Sequence, residues 1–320
     1  MATALSVNSS MSLPFPWQQA VWENFNHRIE QRRVPHALIL NGGEGMGVER
    51  LACAMAERLL CVATHNGYAC GSCKACQLLA AGTHPDLIRV EPEESGKLIK
   101  ITQIRGLCSA LEKTSQQGGW KVALISPAES MNIAASNALL KSIEEPQANT
   151  LLILISHRPS LVPPTIRSRC QIETLGIPGS DMAHRWLMEV AGEHAEVSKV
   201  LEMAGGRPLL ALEYLQGDGL ESRQHVEALL DSVRRAEATP LDAAQACQKY
   251  DADELVEWIM NYIHRLITGE LQNQRNPALF HFLDKLIKAR GWILSGSTIN
   301  TQLLWEELFI EWSQVFQRGR

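Results

Sequence analysis

Residues 37–51 read ALILNGGEGMGVERL. An apolar run, Ala37–Leu40, is followed by a glycine-rich turn and then by a helical pattern beginning near Val48. That is the order of a phosphate-binding P-loop, in which Gly, four residues, Gly, Lys and Ser or Thr follow a strand. Gly42 and Gly47 fall at the glycine positions, but the next two residues are Val48 and Glu49. In a working loop the backbone amides and the helix N-terminus hold the phosphates, and the lysine reaches the outer oxygens. Val48 brings no charge, and Glu49 sets a carboxylate where the hydroxyl ligand to magnesium belongs. A carboxylate there repels phosphate, although it suits the positive end of the helix dipole. The reading is a loop kept for its shape.

Outward from this stretch, three more apolar runs read as buried strands: Leu87–Val90, Val122–Ile125 and Leu151–Ile155. Helical stretches at Glu49–Leu60, Ile104–Lys113 and Ala134–Glu145 separate the runs. Strands and helices in alternation predict an α/β fold, a parallel sheet flanked by helices. A nucleotide hydrolase of this build ends a strand in Asp-Glu, for magnesium and for the attacking water. After Val122–Ile125 this chain has Ser126 and Pro127. Both nucleotide motifs are therefore degraded; alternatively, neither segment was ever a nucleotide motif. Beyond Pro178 the strands stop, and residues 180–216 read as a small helical unit ending in the turn signal Gly205-Gly206-Arg207-Pro208. From residue 217 on the pattern is wholly helical, with apolar stripes containing Trp258, Trp305 and Trp312. Three domains are expected: 1–175, 176–216 and 217–320.

The 320 residues carry a net charge of −5, which argues against a free-standing nucleic-acid binder. No apolar run has the length of a membrane span, and the lead-in MATALSVNSSMSLP has neither the basic nor the apolar part of a signal peptide. It reads as disordered, and the chain as cytoplasmic. The eight cysteines are then expected to be reduced. Four of them, Cys61, Cys70, Cys73 and Cys76, follow the spacing C-x8-C-x2-C-x2-C. Four thiolates in tetrahedral array suit structural zinc and leave no open catalytic position. An iron–sulfur cluster or a set of free thiols are the other readings. His84 reads as a hydrogen-bonded loop residue; Cys53, Cys108 and Cys247 read as small core residues.

Residues 135–146, ASNALLKSIEEP, resemble the NALLKxLEEP signature of clamp-loader AAA+ subunits. Ser168-Arg169-Cys170 is similar to the Ser-Arg-Cys motif of the same family, and Ser156 follows a strand at its sensor-1 position. The four-cysteine module, followed by GTHPDL, looks like that of bacterial DNA polymerase III subunits. The resemblance implies an AAA+ module with a zinc-binding insertion, a small helical lid and an all-helical collar. It further implies a subunit of the branch that has lost ATP binding and assembles with ATPase motor subunits and a clamp-opening delta subunit. Through that complex it would act on the sliding clamp and primer-template DNA. Arg169 would be an arginine finger in trans, and Cys61, Cys70, Cys73 and Cys76 the zinc ligands. The sensor-2 position falls on Arg207 or Pro208, depending on register. An active divergent AAA+ ATPase of helicase-loader type and a zinc-dependent DNA-binding regulator are the alternatives; Val48 and Ser126-Pro127 count against the first, the acidic charge against the second.

Overall fold

A computed structural model of the chain describes residues 11–94, 97–117, 119–192, 196–217, 219–268, 277–294 and 300–316. Most of the lead-in lies outside the described residues. The chain forms two compact units: Met1–Gly192 with Gly206–Leu210, and Glu193–Gly205 with Ala211–Arg320.

The first unit is built on a wholly parallel sheet of β1 (Ala37–Asn41), β2 (Leu87–Val90), β3 (Lys121–Ile125), β4 (Thr150–Ser156) and β5 (Gln171–Thr174), in the order β2-β3-β4-β1-β5. Its helices are α1 (Gln19–Glu30), α2 (Val48–Leu60), α3 (Lys74–Ala80), α4 (Ile101–Glu112), α5 (Ile133–Glu144), α6 (Pro164–Arg167) and α7 (Ser180–Ala191). Successive strand residues point to opposite faces, and the cores divide accordingly. Leu38, Leu40, Leu151, Ile153 and Ile155 pack with α1 and α2, whereas Ala37, Ile39, Leu152 and Leu154 pack with α4 and α5. Burial on both faces explains the unbroken apolar runs of β1, β3 and β4. The fold is the AAA+ type expected.

Four elements of this unit escaped the sequence reading, among them the one-turn helix α6. β5 is an edge strand of the composition QIET, and α1 and α3 lie where no helix was expected. The lead-in reading also changes at its described end. Ser12 donates from its amide and its hydroxyl to Glu57, at 2.7 and 3.0 Å, and Leu13 accepts from Arg50 Nε at 2.7 Å. These residues are ordered against α2.

The second unit is helical: α8 (Val197–Met203), α9 (Pro208–Gln216, the last six residues of which belong to this unit), α10 (Gly219–Arg234), α11 (Pro240–Cys247), α12 (Ala252–Thr268), α13 (Pro277–Leu294) and α14 (Thr301–Val315). Its core gathers Trp258, Trp305 and Trp312 with Ile259, Ile263, Phe282 and Phe309. Trp312 is fully buried and donates from Nε1 to the Leu230 carbonyl at 2.8 Å. The tryptophans of the apolar stripes are core residues. No helix among the described residues is long and apolar enough to cross a membrane.

Candidate functional site

The parallel register brings the C-terminal ends of three strands level: Asn41 of β1 stands beside Ser156 of β4 and Thr174 of β5. Ligands of open α/β sheets bind beyond such strand ends. The glycine-rich loop begins there. Gly45 and Gly47 have φ of +80° and +73°, a region that costs other residues strain. Space forbids a side chain as well. A Cβ on Gly47 would lie 2.5 Å from the Phe15 ring, and one on Gly45 2.7 Å from Leu210.

The loop is clamped through its carbonyls. Gln18, fully buried, accepts from the Phe15 amide and donates from Nε2 to the Met46 and Gly47 carbonyls, both at 2.8 Å. Trp17 Nε1 also reaches the Met46 carbonyl, and Leu209 N donates to the Gly45 carbonyl at 3.2 Å. The Phe15 ring stacks on Trp17 and carries the Arg50 guanidinium at 4.5 Å. The glycines are thus required by packing, with no phosphate needed to explain them. Arg207 precedes the first residue of α9, Pro208, and its Cδ lies 3.7 Å from where a Gly43 Cβ would stand. Arg207 rather than Pro208 faces the loop.

Val48 is fully buried. Glu49, in the first turn of α2, accepts from His157 Nε2 at 2.7 Å, while His157 Nδ1 lies 2.9 Å from the Gly42 carbonyl. Both ring nitrogens then act as donors, the pattern of a charged imidazole. Burial opposes that charge. Glu49 above all, with the Gly42 carbonyl and Glu129, outweighs it and lifts the His157 pKa to about 9. Burial of Glu49 likewise opposes its charge, but the His157 bond prevails and holds the carboxyl below its ordinary value. The Glu49 carboxylate thus has a cation from its own chain. Ser156 is buried, and its hydroxyl accepts from the Arg158 amide at 3.2 Å. Beyond β3, where Asp-Glu is replaced by Ser126-Pro127, the Glu129 carboxylate accepts from the His157 amide at 3.0 Å. Gln18, Glu129 and His157 went unforeseen in the sequence. No motif marks them, and His157 meets Glu49 across 108 residues.

The four cysteines converge. Cys61 caps the end of α2 and Cys73 the start of α3, Cys76 lies in the first turn of α3, and Cys70 comes from the connecting loop. Their sulfurs all lie within 4.8 Å of one another, with pairs at 3.9, 3.9 and 3.5 Å. A tetrahedral ion with metal–sulfur bonds of about 2.3 Å spaces its sulfurs by roughly 3.8 Å. The amides of Cys70, Cys73 and Cys76 donate to the sulfurs of Cys61, Cys70 and Cys73 at 3.2, 3.3 and 3.5 Å. Such bonds stabilise thiolates and orient them. Amides of Ser72 and Cys73 draw the Cys70 thiol down to about 6, whereas burial pushes Cys76 up. The cluster fits a metal ion and is compatible with zinc. His84 stands apart from it, buried, with Nδ1 accepting from the Asp86 amide at 3.2 Å.

Arg169 follows the one-turn helix α6, which is anchored in the core by the fully buried Val162 and Ile166. It precedes edge strand β5, and its side chain is 41% exposed. Nε donates to Glu144 Oε1 at 2.5 Å and Nη1 to the Thr165 carbonyl at 3.1 Å. Cys170 beside it is half-buried, its thiol pushed up to about 11 by burial.

Fold and site together define an AAA+ module that retains the nucleotide loop without the residues that hold phosphate and magnesium. Residues 17–177 match the family described as "DNA polymerase III, delta subunit". DNA polymerase III subunit delta' of Pseudomonas aeruginosa is 35% identical over 94% of this chain and 98% of its own length. The protein of the same name from Escherichia coli is 30% identical over 95% and 97%. A gamma subunit-related protein of Thermotoga maritima, known as a crystal structure, aligns with 93% of this chain and 99% of its own at 16% identity, with a TM-score of 0.48. The chain belongs to the DNA polymerase III delta' family, within the clamp-loader AAA+ proteins.

Proposed function

We propose that this chain is a non-hydrolysing, stator-like subunit of the replicative clamp loader and supplies Arg169 in trans to the ATP site of a neighbouring motor subunit. Its partners are the motor subunits and the clamp-opening delta subunit; through the complex it meets the sliding clamp and primer-template DNA in the cytoplasm. The observation that carries this reading is the contrast in ligand chemistry within one module. The chain's own loop lacks lysine and hydroxyl, and Glu49 is paired with His157, while an exposed arginine stands at the sheet edge. A phosphoryl-transfer transition state gathers charge on the γ-phosphate oxygens, which an arginine from a neighbour stabilises. Lysine could not copy the planar fork.

Residues 176–216 would serve as lid and 217–320 as collar. Exposed apolar residues seven apart on α13 (Phe280, Ile287) and on α14 (Leu303, Ile310) support a helix-on-helix assembly there. Cys61, Cys70, Cys73 and Cys76 would hold one structural zinc. Protein purified without added metal should carry about one zinc per chain by elemental analysis; iron, or no metal, would overturn that assignment.

The test of the function is Arg169→Ala in the reconstituted loader. Folding, metal content and assembly should be unchanged, and clamp- and DNA-stimulated hydrolysis at one neighbouring site should fall on the order of 10³-fold. Turnover and clamp loading at the wild-type rate would leave the chain a scaffold only.

A further inference from the structure

We infer that Glu144 is a positioning residue for Arg169, an inference that rests on the arginine's proposed role toward a neighbour's ATP. Helix α5 is fixed at its start and along its buried face. Asn132 caps it, with Oδ1 accepting from the Ala135 amide at 2.7 Å, and Ala135, Ser136, Leu139 and Ile143 are buried along it. It ends at Glu144, followed by Glu145 and Pro146. Two carboxylates at a helix C-terminus oppose the helix dipole. Glu144 therefore needs a cation, and Arg169 Nε lies 2.5 Å from its Oε1.

The rest of the guanidinium is tethered locally. Nη1 donates to the Thr165 carbonyl at 3.1 Å and to Ser168 Oγ at 3.4 Å. Nη2 makes no hydrogen bond among the described residues, which leaves its donors for a partner's oxygens. An unheld arginine samples many rotamers, and ordering it at the moment of reaction costs free energy. Glu144 and Thr165 together fix the plane of the fork before a neighbour's phosphate arrives, which is the value of a preorganised donor. The pair is exposed on both sides, 41% and 48%, so its contribution to folding is small and its effect lies in geometry.

The experiment compares reconstituted loaders carrying Glu144→Ala, Glu144→Gln, Arg169→Ala and the double Ala variant, reading stimulated ATP turnover and melting temperature. Glu144→Ala should lower kcat at the neighbouring site by about threefold to tenfold, through misorientation, with KM for ATP and melting temperature unchanged. Glu144→Gln should restore most of the rate, because an amide oxygen accepts the same Nε–H. In the Arg169→Ala background Glu144→Ala should have no further effect. A wild-type rate for Glu144→Ala beside a slow Arg169→Ala overturns the positioning role and leaves the finger standing. A faster Glu144→Ala, or Gln as slow as Ala, overturns it too. A wild-type rate for Arg169→Ala removes the finger and this inference with it.

Discussion

The glycine-rich loop and the Arg169 edge are parts of one sheet-centred unit, yet they treat charge in opposite ways. At the loop, the charged, polar and glycine groups are each answered from within the chain. Glu49 has His157, the Met46 and Gly47 carbonyls have Gln18, and the glycine faces have Phe15 and Leu210. At the edge, Arg169 is tethered by Nε and Nη1, and its Nη2 makes no hydrogen bond among the described residues. The glycine-rich loop is closed by packing within the chain. The Arg169 edge is held in place but, on the function proposed above, is left for a neighbour to complete.

This contrast can be broken by substitution. Gly47→Val drives a branched side chain into the Phe15 ring at a φ of +73°, and should destabilise the unit by about 2–4 kcal/mol in urea unfolding. Ser168→Ala, at the exposed edge, should stay within about 0.5 kcal/mol. A tolerated Gly47→Val would mean that the loop is not closed by packing. Next in size is the loss of nucleotide affinity. The missing lysine removes a charged contact worth roughly 1.5–3 kcal/mol, about tenfold to a hundredfold or more. Calorimetry on the isolated chain should show no ATP binding at physiological nucleotide concentration, and micromolar affinity would contradict an inward-turned loop.

The smallest effect is a pH dependence. His157 rises from an ordinary 6.5 to about 9 on folding, so its contribution is complete below 6.5 and lost as pH climbs through 9. Glu49, lowered from 4.5, contributes above 4.5 and loses that contribution in acid, so the pair is whole between about 4.5 and 6.5. Because the Glu49 side chain is 51% exposed, solvent screening reduces the loss between pH 6.5 and 9 to the order of 1 kcal/mol. His157→Asn should flatten the curve in that window; an unchanged slope would show that the imidazolium pair contributes nothing.

How much of this was legible depended on whether the physical signal is local. Four strands could be read because burial on both faces demands unbroken apolar runs. β5 could not, since Ile172 is 46% exposed on an edge that asks for no such run. The cysteine cluster was legible because close spacing in sequence limits where thiolates can go. The departure of the loop from the P-loop pattern was legible too, from Val48 and Glu49 alone. Its replacement was not: Gln18, Glu129 and His157 come from distant segments, and only the parallel sheet brings those segments together. The motif Ser168-Arg169-Cys170 marked the arginine, but nothing in ASNALLKSIEEP announced that its Glu144 would take hold of it.

One consequence follows from how Gln18 and its neighbours grip the loop. Glycine-rich loops are commonly among the first segments of a protein to open, since little holds them when their ligand leaves. Here the bonds that fix the shape run to carbonyl oxygens, from a side chain that is itself sealed in the core. The loop cannot open unless Gln18 and Phe15 come away with it. The amide protons of Gly42 and Met46, bonded to the Ser156 and Gly43 carbonyls, should therefore exchange with solvent only as slowly as the unit itself opens, whereas those of the exposed Gly43 and Glu44 should exchange freely.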